Sequence, residues 1–112
     1  MAAVQYGTLS FWDRRYASSD AAGFDWLLAF DDLRPTLAPL LAPTDRILVA
    51  GCGNAPFSAA LREAGYTNLV SYDLSSVAIE QQRRRHPDME WEVADATRLP
   101  WRDASFDVVL DK

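Results

Sequence analysis

The most constraining feature is a short apolar run, Ile47-Leu48-Val49-Ala50, closed by Gly51-Cys52-Gly53 and followed at once by a helical stretch opening at Pro56. A run of that length has no period-2 alternation, which suits a strand buried on both faces. Its immediate hand-over to a helix reads as the first β-α unit of a parallel sheet. The rest of the chain repeats the move. Pro56–Ala64 predicts a helix with proline in its first turn and Gly65 as its stop. Leu69–Tyr72 reads as a second strand ending in Asp73, and Ser75 or Ser76 can cap a helix running to about Arg85, ended by His86-Pro87. Met89–Val93 is a third strand, Asp95 to Pro100 a loop, and Phe106–Leu110 a fourth strand.

The strands differ in a way that orders them. Val108-Val109-Leu110 is continuous and apolar like the first strand, whereas Met89-Glu90-Trp91-Glu92-Val93 alternates and carries glutamates that discourage edge pairing. The third strand is therefore expected at an edge and the first and fourth at the centre, in the order 3-2-1-4, with helices on both faces. Such a sheet has its topological switch point beside strand 1, where ligands bind.

Ahead of this core, residues 8–17 predict a short helix with Phe11, Trp12, Arg15 and Tyr16 sharing a face. A second helix is expected over roughly Asp25 to Leu33, and a third from Pro35 to near Ala42. The organisation is one domain over 1–112, with a helical lead-in at 1–44 and a ligand-binding core at 45–112. The net charge of −5 argues against an electrostatic grip on nucleic acid or an anionic membrane. No apolar stretch reaches membrane-spanning length, and no signal-peptide pattern opens the chain. With Cys52 as the single cysteine, a reducing compartment is expected, and a cytoplasmic location with it.

Three positions at three consecutive strand ends carry the chemistry. Gly51 and Gly53 leave the backbone open to a ligand, although a bare G-x-G also fits a plain tight turn. Asp73 lies 22 residues after Gly51, where a carboxylate can accept from both hydroxyls of a ribose. Asp95 lies 22 residues further on, beside the place of an adenine edge. A dinucleotide fingerprint needs a glycine at the sixth position and helix N–H groups for a pyrophosphate. Here that position is Pro56, which has no N–H to give. S-adenosylmethionine has a ribose and an adenine but no phosphate, so Pro56 favours the methyl donor over NAD.

Together, Ile47 to Asn54, Tyr72-Asp73-Leu74-Ser75-Ser76-Val77 and Ser105 to Lys112 resemble the eukaryotic methyltransferase-like proteins that include lysine methyltransferases of elongation factor 1-alpha. The lead-in motifs Phe11-Trp12-Asp13-Arg14-Arg15-Tyr16 and Phe24-Asp25-Trp26 are similar as well. The resemblance implies a Rossmann-like class I fold, S-adenosylmethionine as cofactor, and protein lysine N-methylation as the activity, with an elongation factor 1-alpha-like acceptor. It implies that Gly51 and Gly53 line the methionine end, that Asp73 and Leu74 hold the ribose, and that Asp95 and Ala96 meet the adenine. Trp12, Tyr16 and Trp26 would cover the site, and Lys112 would sit at the end of strand 4. Two positions depart from the broader class: Val49 stands where an acid is usual, and Ala55 where a third glycine is. No catalytic base and no metal site is implied.

Other readings stand beside these. Outside the family, Trp12, Tyr16 and Trp26 would more often be packing aromatics. Arg83-Arg84-Arg85 suits a solvated helix end, and Cys52 a small residue tolerated in a buried turn. Asp107 and Asp111 resemble a carboxylate pair, but their spacing suits turn-side placement. The chain is also expected to be truncated after strand 4, leaving an edge that favours self-association and an acceptor side that is missing. A non-catalytic, cofactor-binding or dimerising fragment is thus the second reading, and an NAD-dependent oxidoreductase the third.

Overall fold

A computed structural model describes residues 7–18 and 28–111. Four parallel strands, β1 (Ile47–Ala50), β2 (Leu69–Asp73), β3 (Glu90–Val93) and β4 (Val108–Asp111), form one sheet in the order β3-β2-β1-β4. That is the order expected from the sequence, but β4 is not central as expected. It pairs only with β1, so β3 and β4 form the two edges, and its residues alternate between half-buried and exposed because no neighbour covers its outer side among the described residues. Among the described residues the helices are α1 (Leu9–Ser18), α2 (Phe30–Leu37), α3 (Phe57–Glu63) and α4 (Ser76–Arg85).

The helix boundaries follow from capping. The Ser75 hydroxyl accepts from the Ala78 amide at 3.2 Å and opens α4. At the end of α3, Gly65 takes φ 105°, its amide donates to the Arg62 carbonyl at 3.0 Å, and the Tyr66 amide reaches the Leu61 carbonyl at 3.1 Å. This paired closure returns the chain to the sheet. The lead-in differs from expectation. One helix, α2, begins at Phe30, where the Asp32 carboxylate accepts the Ala29 amide at 3.1 Å, and Pro35 lies inside it. Pro35 cannot bond the Asp31 carbonyl, but Asp31 and Pro35 are exposed residues, where water can take that partner's place. Residues 25–27 of the expected second helix lie outside the described residues.

Alternation along β1 divides the core. Ile47 and Val49 meet Phe30, Phe57, Leu61 and Ile79 on one face, where α2, α3 and α4 pack. Leu48 on the other face joins Val70, Tyr72 and Ala94, backed by Trp101 and Phe106. Among the described residues no helix contributes to that second cluster, contrary to the expectation of helices on both faces. The steps β1-α3-β2 and β2-α4-β3 run in the same direction across the sheet, and right-handed crossovers in one direction place their helices on one side. The connection from β3 to β4 supplies loop aromatics to the other side instead. Trp101 sits 5.8 Å from Tyr72 and 5.5 Å edge-on to Phe106. Helix α1 stands apart from both clusters and packs against α4.

Candidate functional site

The turn after β1 needs its glycines. Gly51 takes φ 61° and Gly53 φ 54°, a left-handed conformation that costs a side-chain-bearing residue about 1–2 kcal/mol. The two serve different ends. A Cβ on Gly53 would lie 2.8 Å from the Tyr16 hydroxyl, whereas a Cβ on Gly51 would meet nothing within 4 Å. Gly53 makes room for the lead-in helix, and Gly51 leaves open space above the strand end.

The neighbouring strand braces the turn. The Cys52 amide donates to the Tyr72 carbonyl at 2.9 Å. The Gly53 amide donates to one oxygen of the buried Asp73 carboxylate at 2.8 Å, and the Ser75 amide to the other at 2.9 Å. From below, α4 holds three consecutive carbonyls. Gln82 donates to Gly53 at 3.1 Å and to Ala55 at 2.9 Å, and Arg85 donates to Asn54 at 3.1 Å. Arg83 donates to the Trp91 carbonyl at 2.8 Å, so the arginine run at the end of α4 is partly a set of braces.

Above this floor lies a cavity of about 490 Å³ at the carboxyl ends of the strands. Gly51, Gly53, Asp73 and Leu74 line it, together with Asp95 and Ala96. Trp12 and Tyr16 line it from α1, their rings stacked with centroids 5.8 Å apart. Eight of the ten residues singled out from the sequence thus meet at one cavity. Trp26 and Lys112 lie outside the described residues.

The charge on the lining is negative. Asp73, Asp95 and Asp111 are its only charged side chains among the described residues, with no lysine, arginine or histidine. Burial pushes the Asp73 carboxyl above its ordinary range, the Ser75 and Gly53 amides pull it back, and the nearby Asp13 charge adds to the rise. Asp95 is exposed, and its carboxyl is held below the ordinary range by the Thr97 hydroxyl and amide at 2.7 and 2.8 Å. Burial first, and then the nearby Asp73 and Asp13 charges, push the Tyr16 phenol upward, so it stays a neutral donor. Burial likewise pushes up the Cys52 thiol, with Asp73 adding to it. That describes an inert packing thiol rather than a nucleophile.

Several site residues were not evident from the sequence. Asp111 ends β4 opposite Ala50 and lines the cavity. Asp107 lies before the strand, where its carboxylate accepts the Arg46 amide at 2.8 Å. The two are therefore at opposite ends of β4 and form no pair; their position on either side of the apolar run Val108 to Leu110 was the available signal. Asp13 accepts from the Ser75 hydroxyl, and Gln81 and Gln82 are buried, although polar residues on a helix ordinarily read as its solvent face.

A parallel sheet in this order, with a glycine turn after β1 and an acid ending β2, defines a Rossmann-like fold with its ligand site at the carboxyl ends of the strands. The methyltransferase domain family matches residues 47–112, and the chain belongs to that family. It is 39% identical over 112 residues to the mouse protein named EEF1A lysine methyltransferase 4, an alignment covering 96% of this chain and 44% of that one. It is 33% identical to the human eEF1A lysine and N-terminal methyltransferase, over 96% of this chain and 16% of that one. The chain thus spans less than half the length of these relatives. Among solved structures, a SAM-dependent methyltransferase from Methanosarcina mazei is similar with a TM-score of 0.63 and 28% identity, over 67% of this chain and 40% of that one.

Proposed function

We propose that the cavity binds S-adenosylmethionine and that residues 45–112, covered by the lead-in of residues 1–44, form the donor half of a protein lysine methyltransferase. One observation carries the reading: the cavity that Gly51 opens is walled by three carboxylates and no cation among the described residues. A pyrophosphate would meet only like charge there, and Pro56, which caps α3, has no N–H for it. A sulfonium cation with a neutral nucleoside meets neither obstacle.

In this reading Asp73 and Leu74 receive the ribose and Asp95 with Ala96 the adenine edge. The Gly51–Gly53 turn receives the methionine end, Lys112 joins the site from the end of the fourth strand, and Trp12, Tyr16 and Trp26 cover the ligand. The Asp73 oxygens each keep lone pairs beyond those given to Gly53 and Ser75, so a diol can be accepted without breaking the turn. The bound cofactor supplies a methyl group on a positively charged sulfur. The chain's own share is positioning and exclusion of water, which is where catalysis of such a displacement resides.

The names of the relatives support an elongation factor 1-alpha-like lysine acceptor and, with it, a cytoplasmic setting. A second reading, a cofactor-binding fragment that self-associates without turnover, is favoured by Val109, which is 58% exposed on β4. Ultraviolet cross-linking of tritiated S-adenosylmethionine tests the donor reading. Label on peptides containing Gly51 or Asp73, displaced by S-adenosylhomocysteine and not by NAD, is expected; label displaced by NAD alone contradicts it.

A further inference from the structure

Gln81 does not line the cavity, yet it joins the two elements that do. Its side-chain N–H donates to the Tyr16 carbonyl at 2.8 Å, and its side-chain oxygen accepts from the Asn54 amide group at 2.9 Å. It is 2% exposed. The Tyr16 carbonyl lies in the last turn of α1, and Gln81 reaches it from α4. Asn54 follows Gly53 directly, and the Tyr16 ring sits where a Gly53 Cβ would be. Tyr16 is thereby held on both sides, its ring seated on the glycine turn and its carbonyl tied through Gln81 to the next residue of that turn.

A second tie lies at the other end of the contact, where the Ser75 hydroxyl donates to Asp13. Asp13 and Tyr16 are three residues apart and share a face of α1. The stretch of helix between and beside them carries Trp12 over the cavity. Of the two ties, the one through Gln81 also touches the glycine turn, because its amide has one donor and one acceptor in opposite uses.

We infer that Gln81 is a positioning residue that couples α1 to the glycine turn, so that closure of Trp12 and Tyr16 over the cavity and the geometry of the turn are set together. A ligand that orders the turn then holds the helix down, and loosening the helix speeds ligand escape. The inference rests on the cofactor reading only where it concerns the ligand. The mechanical tie between α1 and the turn stands on the hydrogen bonds alone.

The test compares the whole chain with its Gln81→Met variant, which keeps the length of the side chain and removes both hydrogen bonds. Hydrogen exchange without ligand should show the amides of α1 exchanging about tenfold faster, the scale of one or two lost hydrogen bonds, while those of β1 and β2 keep their native order of protection. Stopped-flow tryptophan fluorescence should show S-adenosylhomocysteine leaving about tenfold faster and associating within about twofold of native. A purely structural role would speed exchange throughout the sheet and leave the ratio of dissociation to association unchanged; that result overturns the inference, as does unchanged exchange in α1. If the native chain binds no S-adenosylhomocysteine, the cofactor reading fails and the exchange measurement still decides the coupling. Should Gln81→Met not fold, Gln81→Asn, one methylene too short to bridge both partners, takes its place with the same readouts.

Discussion

The Asp73 carboxylate accepts the Gly53 amide at 2.8 Å across the carboxyl ends of β2 and β1, so the acid that faces the cavity also fixes the turn beside it. Removing it acts twice. Asp73→Ala is expected to lower stability by about 1–3 kcal/mol, through the Gly53 and Ser75 amides left without an acceptor, and to weaken S-adenosylhomocysteine by roughly 1.5–3 kcal/mol. Urea unfolding and titration calorimetry on one preparation separate the two. A folded variant with unchanged affinity removes Asp73 from the ligand site.

The acid also gives a pH signature. Its folded-state carboxyl lies above the ordinary value of 3.8, mainly through burial, so the folded chain takes up this proton before the unfolded chain does. The contribution of Asp73 to stability is therefore greatest below the ordinary value and declines as pH rises through the raised one. Native stability minus that of Asp73→Asn should grow as pH falls through this window. A difference that shrinks would mean that the backbone amides outweigh burial.

Gly51 and Gly53 should separate stability from binding. Gly51→Ala faces open space and should lose about 1–2 kcal/mol of stability from its positive φ alone, while its methyl enters the cavity and weakens the ligand. Gly53→Ala adds the collision with the Tyr16 hydroxyl at 2.8 Å and should be the less stable of the two. Thermal melts rank them, and equal stabilities would show that α1 does not press on the turn.

The Cys52 thiol should be silent. Burial holds it well above its ordinary pKa, so iodoacetamide at neutral pH should leave it unmodified in the folded chain and alkylate it in urea. Rapid labelling of the folded protein would show that the turn opens.

The order of the sheet was legible from β1, a continuous apolar run buried over Ile47 to Val49, and from the glutamates of the edge strand β3. β4 reads like β1 yet lies at the other edge with Val109 exposed, because exposure depends on what covers a strand and not on its own residues. Gly51, Gly53, Asp73 and Asp95 were legible because each ends a strand, and strand ends are fixed by turn chemistry. The lead-in was read less well. Pro35 punctuates a sequence, but α2 passes through it on an exposed stretch of helix, which depends on solvent rather than on local residues. The buried glutamines of α4 were out of reach for a similar reason. Gln81 and Gln82 take their partners from residues 27 to 65 positions away, and only the assembled turn makes a polar helix face an interior one.

The most direct measurement is titration calorimetry of the chain with S-adenosylmethionine, S-adenosylhomocysteine and NAD at two salt concentrations. The account predicts saturable heat with the first two and none with NAD. It also predicts that the positively charged donor loses more affinity with added salt than the neutral product, because three carboxylates wall the cavity. Saturable binding of NAD, or no binding of S-adenosylmethionine and S-adenosylhomocysteine by a folded chain, would contradict it.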